Sequence, residues 1–191
     1  MKNLSVKVKM AVIGVMMIAF MLFSINFSVS NMKAINERIL QEEEENIRKD
    51  YDDSIRQQVE MVVSLLDSYK AGIDAGVYTM EEGMQLAADK VRELRYGKDG
   101  YFWVDQSDGV NVVRLGNEVE GTNRIGTKDV TGYEMVKAFI QGAVAEGSCY
   151  TDYQYPKEGE TEPMPKRAYT QYYEPFDWVI GTGNYVDNID A

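Results

Sequence analysis

Gly97-Lys98-Asp99-Gly100-Tyr101-Phe102-Trp103-Val104-Asp105 marks the point where the chain changes period. Before it, apolar residues recur at steps of three and four. From Gly100 onward the run is aromatic and β-branched, as strands prefer. Gln106-Ser107-Asp108-Gly109 is a turn cluster, and Val110–Leu115 (VNVVRL) returns as a second strand, so the stretch predicts a hairpin. Tyr101 and Trp103 share one face of the first strand, and Phe102 and Val104 the other.

Working toward the N-terminus, residues 31 to about 75 hold no proline and no glycine before Gly72. Ile47, Tyr51, Ile55, Val59, Val62, Leu66, Tyr69 and Ile73 form one helical stripe. A long amphipathic helix is predicted over 31–75. Met32, Ile35 and Ile39 make a shorter stripe, suited to pairing with a second copy in a homodimer. A second helix follows, capped by Thr79 and burying Met84, Ala87, Ala88, Val91 and Leu94, with Gly97 as its stop.

Toward the C-terminus, 116–132 reads as a long loop of the kind that covers a site. Tyr133–Ala145 has helical spacing. Strands are predicted at 149–155, 168–173 and 178–185, with a Pro/Gly/Glu-rich turn over 156–165. Five strands and one inserted helix predict an α+β domain, with one antiparallel sheet packed on the long helix.

Lys2, Lys7 and Lys9 precede an apolar run from Met10 to Val29. Twenty helical residues rise ~30 Å, the thickness of a bilayer's hydrocarbon core. By the positive-inside bias, residues 1–9 are cytoplasmic, 10–30 a transmembrane helix and 31–191 extracytoplasmic at the cell membrane. A cleaved leader ending near Ser28-Val29-Ser30 is the competing reading. It would give a secreted solute-binding protein.

The 191 residues carry a net charge of −11, which disfavours nucleic acid. There is no histidine and one cysteine, Cys149. Histidine-based catalysis, disulfide formation within the chain and His/Cys metal sites are thereby excluded, and no cofactor is expected. No pair of carboxylates is tied to a pocket by the pattern, so the chain reads as no enzyme. Asp99, Asp105 and Asp108 read as turn and strand-end residues.

Several motifs occur in family order: Leu94–Asp105, Glu120-Gly121-Thr122-Asn123, Lys128–Gly132, Gly147–Tyr153, Pro165–Tyr169 and Glu174–Tyr185. Together they resemble the single Cache (type 2) sensor domains of bacterial methyl-accepting chemotaxis proteins, over about residues 35–190. The resemblance implies a PAS-like sheet (98–187) behind the long helix. It also implies a small-molecule pocket, with a short carboxylate as frequent ligand, and a role in chemotaxis or as a sensor-kinase input. In that family a second span and an output module follow, and the sequence stops at Ala191, before either is expected. Many relatives carry His-Pro on the second strand where this chain has Arg114-Leu115, which leaves the ligand open.

The candidate ligand-binding residues are Tyr101, Trp103, Arg114, Tyr150, Lys166 and Tyr169. Tyr101 and Trp103 supply an aromatic wall. Arg114 offers a fork that matches a carboxylate. Lys166 and Tyr169 lie where the family motif contributes ligand contacts. Their opposite parity on a simple strand lets both face the ligand only if a bulge or a strand start intervenes. Tyr150 and Tyr153 also differ in parity, so one of them at most lines the site.

Overall fold

The computed structural model describes residues 5–157 and 160–185. The N-terminal lysine Lys2 and the expected end of the sheet at 186–187 lie outside them. The chain divides into two compact units, Met1–Ile47 and Arg48–Ala191. Helix α1 spans Val6–Asp74. In the first unit it is largely apolar, its large side chains are exposed along the expected span, Met16, Phe20 and Phe23 included, and it is long and apolar enough to cross a membrane.

The second unit is a five-stranded antiparallel sheet with helices on both faces. Its strands are β3 (Trp103–Gln106), β4 (Asn111–Arg114), β5 (Ser148–Pro156), β6 (Pro163–Tyr173) and β7 (Trp178–Tyr185), ordered β4-β3-β7-β6-β5. Two short strands, β1 (Arg95–Tyr96) and β2 (Gly100–Tyr101), form a separate hairpin. The expected α+β fold is present, with local differences. The first predicted strand breaks at Phe102. Helix α2 (Met80–Glu93) ends at the extended Leu94, three residues before Gly97, because 95–96 pair with 100–101. Gly97, at φ 55°, is the turn of that hairpin. Strand β6 begins at Pro163, five residues before the expected start, because the β5–β6 ladder continues out to Pro156↔Pro163.

One face of the sheet packs on α1 and α2. Ile55, Val59, Val62 and Leu66 of α1 and Ala87, Ala88 and Val91 of α2 meet Phe102, Val104, Trp178 and Ile180. The stripe read from sequence is this contact, except that Ile47 is exposed. Thr79 holds the start of α2 in a capping box, its Oγ1 accepting from Glu82 N and its own N–H donating to Glu82 Oε2 at 2.9 Å. The opposite face packs on α3 (Met135–Glu146) through Met135, Val136, Phe139, Ile140 and Ala143. Trp103 lies on this side, directly across from Gly181 of β7. A Cβ at 181 would sit 2.5 Å from the indole, so only glycine leaves room for the ring.

Candidate functional site

The site lies where α3 and the 116–132 loop cover β3, β4 and the facing ends of β5 and β6. Alternation fixes its wall. Trp103 stacks near Tyr101 (6.3 Å between ring centroids) and Phe139 (5.4 Å), and Phe139 meets Tyr153 edge-on at 5.1 Å. Arg114 is opposite Trp103 in the β3–β4 register. Its Nη2 donates to the Tyr155 hydroxyl at 2.7 Å, and its guanidinium lies 5.6 Å from the Tyr155 ring centre. These side chains, with Arg124 and Met135, close on a cavity of about 10 Å³.

Lys166 is 2% exposed, the most deeply buried lysine in the described chain. Its ammonium sits 4.6 Å from the ring centre of Tyr185, 5.1 Å from Tyr101 and 5.6 Å from Tyr155. Three aromatic faces give a cation partial compensation only. Burial, and then the charge of Arg114, lower the Lys166 pKa to about 8. Lys166, Tyr101 and Tyr185 also line a groove of about 730 Å³ beside the closed cavity.

The one buried carboxylate here is already engaged. Asp105, fully buried, accepts from Arg124 Nε at 2.6 Å and Nη2 at 2.5 Å, and from Asn111 Nδ2 at 2.9 Å. Among the described residues, Arg114, Lys166 and Arg124 thus bring three cations to a region whose buried carboxylate is Asp105. Among the described residues neither Arg114 nor Lys166 has an ion-pair partner. A buried unpaired charge is costly, so this excess favours an anion of matching size.

The loop is held in place by two carboxylates. Glu120 accepts from the N–H groups of Arg114 (2.6 Å) and Gly116 (2.8 Å) and from Arg92 Nε of α2 (2.9 Å). This grips the end of β4, where Leu115 (φ 59°) and Gly116 (φ 70°) turn left-handed. A proline at 115 could not take that φ, because its ring fixes φ near about −65°. Leu115 thus holds a turn that a His-Pro pair at 114-115 could not form. Asp129 accepts from Thr131 N and Oγ1, Tyr133 N and, across to β5, Gln154 N at 3.0 Å. Desolvation pushes the Asp129 carboxyl up. The hydrogen bonds from the Thr131 hydroxyl and from the Gln154, Tyr133 and Thr131 amides outweigh it and bring the pKa down to about 2.

Of the six candidates, Tyr101, Trp103, Arg114 and Lys166 come together. Tyr150 and Tyr169 do not. The β5–β6 ladder runs without a slip, pairing Tyr150 with Tyr169 and Tyr153 with Lys166. No bulge rescues the parity, and the first pair faces α1. Their rings are 4.9 Å apart, and Tyr150 donates to the Asp52 carbonyl at 3.0 Å. Tyr155, Tyr185, Asp105 and Arg124 are additions. Tyr155 shares parity with Tyr153, and Asp105 shares parity with Trp103, so both were readable from alternation. Asp105 is a buried partner of Arg124, not the strand-end residue expected. Arg124 lies in an aperiodic loop, where no spacing signals it.

Residues 47–191 match the model of the Single Cache domain 2 family. The chain belongs to that family. Like other Cache domains of known structure, it sets a long helix behind an antiparallel sheet. A Cache chemosensory domain solved for its carboxylic acid recognition superimposes with a TM-score of 0.71 at 28% identity, covering 75% of this chain and 98% of that one. The methyl-accepting chemotaxis protein McpP of Pseudomonas putida is 29% identical over 137 residues, 71% of this chain and 25% of that protein. The sensor histidine kinase MctS of Rhizobium johnstonii is 29% identical over 151 residues, 78% of this chain and 32% of that protein. This Cache chain thus spans about a quarter to a third of the length of these two relatives.

Proposed function

We propose that the chain is the extracytoplasmic sensing domain of a membrane-anchored chemoreceptor, and that it binds a short carboxylate between Arg114 and Lys166. One observation carries the reading: a buried lysine and a half-buried arginine, neither with a carboxylate partner among the described residues, in an aromatic wall. The guanidinium gives a planar fork for the carboxylate, and the ammonium gives a compact point charge beside it. Trp103, Tyr101 and Phe139 give the acid's short apolar tail a surface. The cavity as closed is smaller than any acid, so binding requires the 116–132 loop and α3 to yield.

No catalytic step is assigned to the site. Its groups suit holding an anion, and nothing in it activates a nucleophile or water. The N-terminal lysines and the apolar run of α1 support residues 1–9 inside and 10–30 in the bilayer, with the domain outside. The identity with a sensor kinase favours a second reading of the output only: the same ligand site as the input of a histidine kinase. Kinase activity of the full-length protein, against control of a chemotaxis kinase, separates the two.

The test is isothermal titration of the full chain in detergent with acetate, propionate, lactate and pyruvate. At least one acid is expected to bind, and Arg114→Gln is expected to weaken it by at least about 30-fold, as for a lost charge-assisted bidentate contact. Tyr169→Phe, on the far face, is expected to leave affinity within about twofold. Binding only of neutral or cationic ligands would overturn the carboxylate reading.

A further inference from the structure

Lys166 and Arg167 are neighbours on β6, so their side chains leave opposite faces of the sheet. Lys166 enters the tyrosine-walled site, while Arg167 reaches helix α1. Arg167 Nε and Nη2 bond Asp52 Oδ1 and Oδ2 at 2.6 and 2.9 Å, and Nη1 bonds Asp152 Oδ2 of β5 at 2.7 Å. The guanidinium also lies 5.0 Å from the Tyr150 ring centre, and Tyr150 itself bonds the Asp52 carbonyl. The Arg167 side chain is 15% exposed and that of Asp52 20%, so the pair is largely shielded from solvent.

Most of the contact between α1 and the sheet is apolar and non-directional. Two polar attachments to β6 fix its register: Arg167–Asp52 and Tyr173–Asp67, the latter a hydrogen bond of 2.9 Å. The six residues separating them on the strand cover about 20 Å, and the fifteen on the helix about 22 Å. Strand and helix therefore run alongside one another over equal lengths, pinned at both ends. We infer that Arg167 is the residue through which occupancy of the Arg114–Lys166 site moves helix α1. A ligand that draws Lys166 toward Arg114 displaces the backbone at 166, and the next residue hands that displacement to Asp52. This inference rests on the proposed carboxylate site.

Hydrogen–deuterium exchange of the full chain in detergent, with and without saturating propionate, tests it, alongside titration for affinity. In the wild-type chain, propionate is expected to change exchange of the amides of 48–62 by about threefold or more. Arg167→Gln is expected to keep propionate affinity within about threefold while losing that response. Asp52→Asn, which leaves Arg167 its bond to Asp152, is expected to do the same and guards against misfolding of the strand variant. An undiminished helix response in either well-folded variant overturns the inference. So does propionate binding in the wild type with no change at 48–62, and the carboxylate reading then stands. If none of the short acids binds, that reading fails and the inference falls with it.

Discussion

Lys166 costs the ligand-free protein stability. Its pKa in the folded chain, about 8, lies below the 10.5 of a free lysine. Between these values the unfolded chain holds a proton that the folded chain has released. Stability from this group therefore rises with pH from about 8, and is lowest below it. The shift corresponds to roughly 3 kcal/mol at neutral pH. Lys166→Met is expected to raise the midpoint of thermal unfolding at pH 7 while abolishing carboxylate binding, an exchange of stability for function. In the unmutated chain, a bound carboxylate favours the charged amine. Affinity is expected to be flat below pH 8 and to fall above it, as binding comes to require proton uptake. Titration at pH 7, 8 and 9 checks the slope, and a flat profile through pH 9 would count against Lys166 as a ligand contact.

At the scale of elements, the loop between β4 and α3 is the part that must yield for the proposed ligand to enter. Asp129 ties it to β5 through Gln154. With a pKa near 2, against 3.8 for the free side chain, its contribution is fully present above pH 3.8 and is lost as pH falls through 2. Asp129→Ala is expected to speed amide exchange over 124–133 about tenfold at pH 7, with little change in α1. Unchanged exchange there would mean that Glu120 alone holds the loop. The same scale shows what alternation can reveal. Trp103 and Tyr101 were legible because one strand face had to meet the helix stripe and the other did not. Tyr150 and Tyr169 lie apart from the other candidates because a motif position carries no parity. The unbroken β5–β6 register decides their side, and it turns them toward α1.

At the scale of the molecule, α1 carries both the expected membrane span and the domain's principal helix. Met32, Ile35 and Ile39 remain exposed on it. Their spacing suits a homodimer seam, which is proposed on that pattern alone. Single cysteines at 32, 35 and 39, in a Cys149→Ala background, are expected to give disulfide-linked dimers in membranes. Absence of dimer bands at all three positions would remove the seam.

The sequence by itself determined the α+β class, the apolar span, the stripe on α1 and the capping of α2. Each rests on a local period or a local hydrogen bond, which neighbouring residues suffice to specify. Only the tertiary structure decided which side chains meet in the candidate site. The Asp105–Arg124 pair joins residues 19 positions apart, and the Arg114–Tyr155 bond spans 41. Such partners are chosen by sheet order and loop path, which no local period encodes. The burial of Lys166 is decided the same way. Its charge is plain in the sequence, but its lack of an ion-pair partner among the described residues follows from what surrounds it.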